Sequence, residues 1–210
     1  KVGNVPIRFH RKLPGQIKTV TVSYRGGYWE VSIPVKVQKK AAKTELEARA
    51  GFDINSRQTL VSSNGWYVTN PKYLRQAKKK IKQVQRQLSR RKKGSRRWYK
   101  SKQRLQSLHD KVRHQRMDFG HQRSNTIARC FDLVVFEDLN VKAMQQCNGH
   151  MTWDNLMGQI TDLVKYKVHR EGGLFHKINR FGASTQPCSQ CGALHGLSFN
   201  DREFHCNQCG

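Results

Sequence analysis

Two Cys-x-x-Cys pairs stand near the C-terminal end of this chain: Cys188 with Cys191, then Cys206 with Cys209, with 14 residues between the pairs. Two thiolates on one tight knuckle can reach the same ion, and a second knuckle completes a closed tetrahedral site of the structural zinc kind. The interval is slightly short of the usual spacing but holds a small hairpin. Gly192 and Gly210 follow the two knuckles, and glycine suits a backbone that turns tightly under a metal. Two disulfides or idle thiols are the alternative; the paired double knuckle favours Zn²⁺. Such a ribbon names no activity, so the rest of the chain must say what it serves.

The chain carries 40 basic and 14 acidic residues in 210, a net charge of +26. A charge of that size favours a polyanion partner. No apolar run approaches 18 residues and no signal-peptide core is present, so nucleic acid is expected rather than a membrane. A hydrophobic content of 36% predicts a modest core. Six cysteines, four of them in the knuckles, fit a reducing compartment. Cys130 is expected to be a buried thiol beside an apolar strand; Cys147 lies in a polar loop and carries no assignment. The start at Lys1 and the stop at Gly210 predict a piece of something longer.

Residues 1–49 read as β. Alternation runs through Val5–Phe9, Ile17–Ser23 and Tyr28–Val35, with a hairpin signal at Arg25, Gly26 and Gly27. These short strands predict a small barrel or sheet, followed by a polar linker over 39–50. A new sheet starts at 50–55, with Phe52 and Ile54 alternating with Asp53, and continues through 58–62 and 65–69. Asn70 and Pro71 then open a helix. Its apolar seam is Leu74, Ala77, Ile81, Val84 and Leu88. After a break at 91–95, a second helix carries Trp98, Leu105, Leu108, Val112 and Phe119.

Residues 72–116 hold 19 Lys or Arg against the lone acid Asp110. A solvated helix face usually mixes Glu with Lys, because like charges four residues apart repel. Here almost nothing balances them, which predicts a groove for a phosphate backbone. Its expected contacts are Lys72, Arg75, Lys78, Lys79, Lys82, Arg86, Arg90, Arg91, Lys92, Lys93, Arg96 and Arg97. Such a surface neutralises phosphates and confers little base discrimination.

Helix continues from Ser124 to Arg129 and leads into an apolar run of strand length, Phe131–Leu139, that ends in Glu137 and Asp138. Such a run suits a strand buried on both faces. Acids at the carboxyl end of a buried strand sit at a crevice of the sheet. A helix is expected over Trp153–Arg170, stopped by Gly172 and Gly173, with a short strand over Leu174–Asn179.

Taken together, these stretches resemble the TnpB family, the transposon-encoded RNA-guided nucleases related to type V CRISPR effectors. The residues that carry the resemblance are Gly51–Asn55, Asn70–Lys72, Val135–Lys142, Trp153, Tyr166–Lys167, and Ser184–Gly192 with the second knuckle. The resemblance implies an α+β/α/β chain. A RuvC (RNase H-like) domain would be split into 50–70 and 124–187 by a basic helical hairpin at 71–123. A wedge-like β-barrel portion at 1–49 would precede it and a zinc ribbon at 188–210 would follow.

The same resemblance makes Asp53 and Glu137 catalytic acids and ligands of Mg²⁺. Phosphodiester hydrolysis must stabilise an attacking and a leaving oxygen, and two Mg²⁺ ions held by carboxylates do so. Two acids 84 positions apart share an ion only if their strands are adjacent. Guide RNA and target DNA are the implied partners, in a cytoplasmic, nucleoid-associated prokaryotic setting. Asn55 stands where the family usually has Gly, and asparagine tolerates the left-handed geometry. The family's third acid follows the ribbon, past Gly210, and Asp201 belongs to the ribbon hairpin. The implied activity is RNA-guided DNA cleavage; a nuclease-inactive, RNA-guided DNA-binding relative is the alternative. A guide-free, basic zinc-ribbon RNA-binding protein accounts for the charge and the cysteines but leaves the acid-terminated strand without a role.

Overall fold

The computed structural model describes residues 4, 6–9, 12–25, 27–38, 40–54, 58–140, 156–179, 186–188, 190–196 and 205–210. Val5, Gly26, Asn55, Cys147, Trp153, Ser184 and Asp201 lie outside the described residues. At its centre is a mixed five-stranded sheet. Its members are β5 (Arg49–Asp53), β6 (Gln58–Ser62), β7 (Tyr67–Thr69), β8 (Leu133–Glu137) and β9 (Leu174–Ile178), in the order β7-β6-β5-β8-β9. β5, β6 and β7 are antiparallel neighbours, whereas β8 and β9 run parallel to β5.

Alternation along the strands separates two faces. Ala50, Phe52, Val134 and Phe136 are buried on one of them. Phe136 stacks on Phe52 and Phe175, with ring centroids 5.3 and 5.7 Å away. Two helices complete this core: the C-terminal half of α2 (Arg96–Cys130), through Ile127 and Ala128, and α3 (Met157–Arg170), through Ile160, Val164 and Val168. α2 and α3 approach closely at Gly120, where an added Cβ would lie 3.1 Å from a Leu163 methyl. Lys167 of α3 is buried at the same crossing. Its ammonium donates to the His121 carbonyl at 2.7 Å and to the Ser124 hydroxyl at 2.8 Å.

The basic stretch forms two helices, α1 (Tyr73–Ser89) and α2. Ile81, Val84 and Val112 are buried between them, as the seam predicts. Asn70 accepts from the Lys72 amide at 2.8 Å and sets the entry to α1, and the Ser95 hydroxyl caps α2 by accepting from Trp98 N at 3.2 Å. α2 then runs unbroken for 35 residues, from the basic arm into the core. The expected boundary between 123 and 124 therefore falls inside one helix.

The N-terminal region holds β1 (Gln16–Ile17), β2 (Thr21–Arg25), β3 (Tyr28–Ser32) and β4 (Val35–Lys36), as two antiparallel pairs, β2–β3 and β1–β4. The expected strand over Tyr28–Val35 is divided at Pro34, which has no N–H for a ladder. Residues 6–9 form no strand. The polar linker is pinned to the domain. Lys40 pairs with Glu171 and Lys43 with Asp132. The Lys43 amide donates to the Gly172 carbonyl at 2.9 Å. The Asp132 carboxyl is held below the usual range by the Lys43 ammonium and the Ala48 amide. Cys130, expected to be buried, is exposed. It sits roughly 110° round α2 from the centre of the buried arc formed by Gly120, Ser124, Ile127 and Ala128.

Candidate functional site

The sheet brings Asp53 and Glu137 together. Phe52 and Phe136 are Cα partners in the parallel β5–β8 ladder, and each acid is the next residue along its strand. They therefore share the face opposite the two rings, at the carboxyl ends of adjacent strands about 4.8 Å apart. Asp53 is exposed and Glu137 half-buried. Leu174, His176 and Ile178 of β9 are exposed on this same side, so the acids stand on the open face of the sheet. Asp138 follows Glu137 but turns toward Lys177, 3.4 Å away. Two carboxylates at neighbouring register positions suit a hard, oxygen-seeking cation. Among the described residues they belong to no larger acidic group.

The four knuckle cysteines converge. Their sulfurs all lie within 4.8 Å of one another. Cys188 and Cys209 Sγ are 3.5 Å apart, as are Cys191 and Cys206. Four thiolates about 2.3 Å from one tetrahedral ion stand roughly 3.8 Å from each other, so the cluster fits such an ion. Each knuckle is built alike. The Gln190 amide donates to Cys188 Sγ and the Gln208 amide to Cys206 Sγ, both at 3.4 Å. The amides of Gln208 and Cys209 pull the Cys206 thiol down to about 5, while its crowded neighbours Cys188 and Cys206 push Cys209 up to about 12. Four sulfurs at this range cannot all ionise without a cation between them.

Of the cations expected to face a phosphate backbone, all but Arg91 are exposed. Lys72, Arg75, Lys78, Lys79, Lys82, Arg86, Arg90, Lys92, Lys93, Arg96 and Arg97 are exposed. Lys79, Lys82, Arg86 and Arg90 line a groove of about 550 Å³ with Gln83 and Gln87. Arg91 is half-buried, and its guanidinium donates to the Arg97 carbonyl at 2.6 Å and to the Ser101 hydroxyl. It locks the turn between α1 and α2. Asp110, the lone acid of the stretch, is buried and lies 3.5 Å from Arg113. It therefore presents almost no negative charge on the arm's surface. A second, larger cleft of about 1120 Å³ separates Pro14 and Val35 from Tyr166, His169 and Arg170.

Sequence reasoning missed three groups. Lys167 stood only inside a motif, with no hint that it would be buried. His195 lies between the knuckles, its Nε2 3.3 Å from Cys206 Sγ. A histidine four residues past Cys191 was a signal available in the spacing. In the sequence Gly172 and Gly173 signal a helix stop, yet they also receive the linker and the start of β8. A Cβ on Gly172 would lie 2.3 Å from the Ala41 carbonyl oxygen, and one on Gly173 2.6 Å from that of Asp132.

Among solved structures, the fold is similar to that of Cas12f1 in a cryo-EM complex with sgRNA and target DNA. The TM-score is 0.59 at 16% identity, over 86% of this chain and 40% of that one. This is therefore a protein of Cas12f1-like architecture. A profile of the OrfB_IS605 family, described as a probable transposase, matches residues 32–148, and one of the Cas12f1-like TNB domain matches residues 158–210. More than half of the chain falls in the first match, and the chain belongs to the TnpB family. A Streptomyces pristinaespiralis protein named "Putative RNA-guided DNA endonuclease" is 32% identical over 97% of this chain and 52% of its own length. Escherichia coli K12 InsQ, which bears the same description, is 30% identical over 70% of this chain and 36% of its own length. The chain spans about half the length of the first of these relatives, and less of the second.

Proposed function

We propose that the chain is the nuclease-bearing part of an RNA-guided DNA endonuclease of the TnpB type. The observation that carries this reading is the in-register pair Asp53 and Glu137 on the open face of the sheet. An antiparallel meander continued by two parallel strands supports a RuvC (RNase H-like) assignment for 50–70 and 124–187. The remaining assignments are a wedge-like β portion at 1–49, the basic hairpin at 71–123 and a zinc ribbon at 188–210. The names of the relatives and the sgRNA and target DNA in the Cas12f1 structure point the same way.

Asp53 and Glu137 are the Mg²⁺ ligands in this reading. A metal held there would stabilise charge on the attacking water oxygen and on the leaving sugar oxygen. The chain's own residues do the rest. β5 and β8 hold the backbones of the two acids at neighbouring register positions, backed by the Phe52–Phe136 stack, so the site is partly organised before the phosphate arrives. The groove of Lys79, Lys82, Arg86 and Arg90 holds a guide–target duplex by its backbone charge and shape. Cys188, Cys191, Cys206 and Cys209 hold Zn²⁺ in a structural site, outside the chemistry. Among the described residues no helix is long and apolar enough to cross a membrane.

The test uses the full-length protein with its guide RNA, target DNA and Mg²⁺. Asp53→Ala and Glu137→Ala should each abolish cleavage while target binding persists. The supply of a metal ligand is worth several kcal/mol in the transition state, so the loss should exceed about 100-fold in rate. Cleavage that survives Asp53→Ala overturns the catalytic assignment. Binding without cleavage in the unaltered protein favours the nuclease-inactive alternative.

A further inference from the structure

The segments 186–188 and 193–195 pair antiparallel around the first knuckle. The Cys188 amide donates to the Ala193 carbonyl and the His195 amide to the Gln186 carbonyl, both at 2.9 Å, and Pro187 bridges Leu194. This ladder fixes the backbone of His195 beside the first knuckle. Its imidazole then reaches across to the second knuckle, where Nε2 lies 3.3 Å from Cys206 Sγ. Cys206 is the more enclosed member of its pair, buried where Cys209 is exposed.

A thiolate is only an acceptor, so the contact has one sense if the sulfur is ionised by a metal: Nε2–H donates and Cys206 Sγ accepts. Either the neutral Nε2–H tautomer or the imidazolium provides that proton. The same sulfur accepts from the Gln208 amide at 3.4 Å. Cys188, its counterpart in the first knuckle, accepts from the Gln190 amide at the same distance. Cys206 thus has a side-chain donor in addition to the backbone donor common to both knuckles.

Four thiolates around one divalent ion carry a net charge of −2. Donors aimed at the sulfurs offset that excess, which is costly to bury. We propose that His195 is the positioning donor of the metal centre. Its Nε2–H holds Cys206 Sγ in place across the two knuckles and tightens the hold on Zn²⁺ without itself binding the metal. This rests on the zinc reading given above. It adds a residue that lies on neither knuckle and joins the two.

The test compares the full-length protein with His195→Leu, which removes the donor, and His195→Gln, which keeps a side-chain N–H. Zinc affinity is read by competition with a chromophoric chelator, and the ligand set by the absorption bands of the Co²⁺-loaded proteins. His195→Leu should raise the Kd for Zn²⁺ by about 10- to 100-fold, the usual cost of losing a partner of a metal ligand. His195→Gln should recover most of that loss. All three Co²⁺ forms should show the same four-thiolate spectrum. An unchanged Kd in His195→Leu overturns the proposal while leaving the zinc site standing. A Co²⁺ spectrum that changes in His195→Leu also overturns it, by making His195 a ligand. If the unaltered protein binds no zinc, both readings fall together.

Discussion

Phe52 and Phe136 stack face to face across β5 and β8, with ring centroids 5.3 Å apart and planes 16° from parallel. The contact fixes which residues stand next to each other one step further along, and those residues are Asp53 and Glu137. A one-residue slip of β8 would send Glu137 to the covered face. The apolar core thus sets the geometry of the acidic pair. Phe136→Ala should cost about 3–5 kcal/mol, because the ring is fully buried and leaves a cavity. Chemical denaturation measures it. Phe136→Leu should cost less and keep the acids in register.

The basic arm has almost no exposed carboxylate to offset it, so its contribution to binding should be strongly salt-dependent. Neutralising Lys79, Lys82, Arg86 and Arg90 to Gln should lower the slope of log affinity against log salt by about 0.7–0.9 for each phosphate left without its cation. Fluorescence anisotropy over a salt series reads this directly. A slope unchanged by the fourfold variant removes the groove from α1.

Gly172 combines a φ of +84° with a backbone carbonyl 2.3 Å from where a Cβ would sit. Alanine is strained there by conformation and by contact with Ala41, and no flexible side chain can move aside. Gly172→Ala should destabilise by about 1–3 kcal/mol. Thermal unfolding should show a fall of several degrees, roughly 2–4 °C per kcal/mol in a chain of this size. The linker's amide exchange should rise with it.

Burial lowers the Lys167 ammonium from 10.5 to about 8. The sign follows from proton counting. Below pH 8 both folded and unfolded chains carry the charge, and the cost of burying it is fully present. Between about 8 and 10.5 the unfolded chain keeps the proton and the folded chain sheds it, so this group makes stability rise with pH. Lys167→Met should flatten that rise, and at pH 7 it should leave stability equal or higher. Urea midpoints at pH 7 and 9.5 check both statements.

Much of this arrangement is legible in the residues themselves. The period-of-two pattern around Phe52 and the continuous apolar run of 133–136 locate the central strands, although β8 is fully buried on one face only and not on both as that run predicts, and the seam of Ile81 and Val84 locates α1. The double knuckle locates the cysteine cluster. What escapes is set by tertiary contact. The break at Pro34 follows from chemistry visible in the chain, but the pairing of Ile17 with Val35 does not. The exposure of Cys130 depends on which arc of α2 meets the sheet. Arg91 is one cation among many in the sequence, and only the return of α2 past it supplies the carbonyl and hydroxyl that claim it. His195 is visible as a histidine, yet its partner lies 11 positions away on the second knuckle.

The unbroken length of α2 has a mechanical meaning. Thirty-five residues make a rod of about 52 Å. One end lies among the cations of the arm; the other enters β8 after only Phe131 and Asp132. A helix with no proline along that length bends little. In the proposed reading a duplex held on the arm bears on the same helix that leads into the strand carrying Glu137, and that helix is braced where Lys167 and Gly120 meet α3. The cationic arm and the strand that ends in Glu137 are thus tied together by one continuous helix.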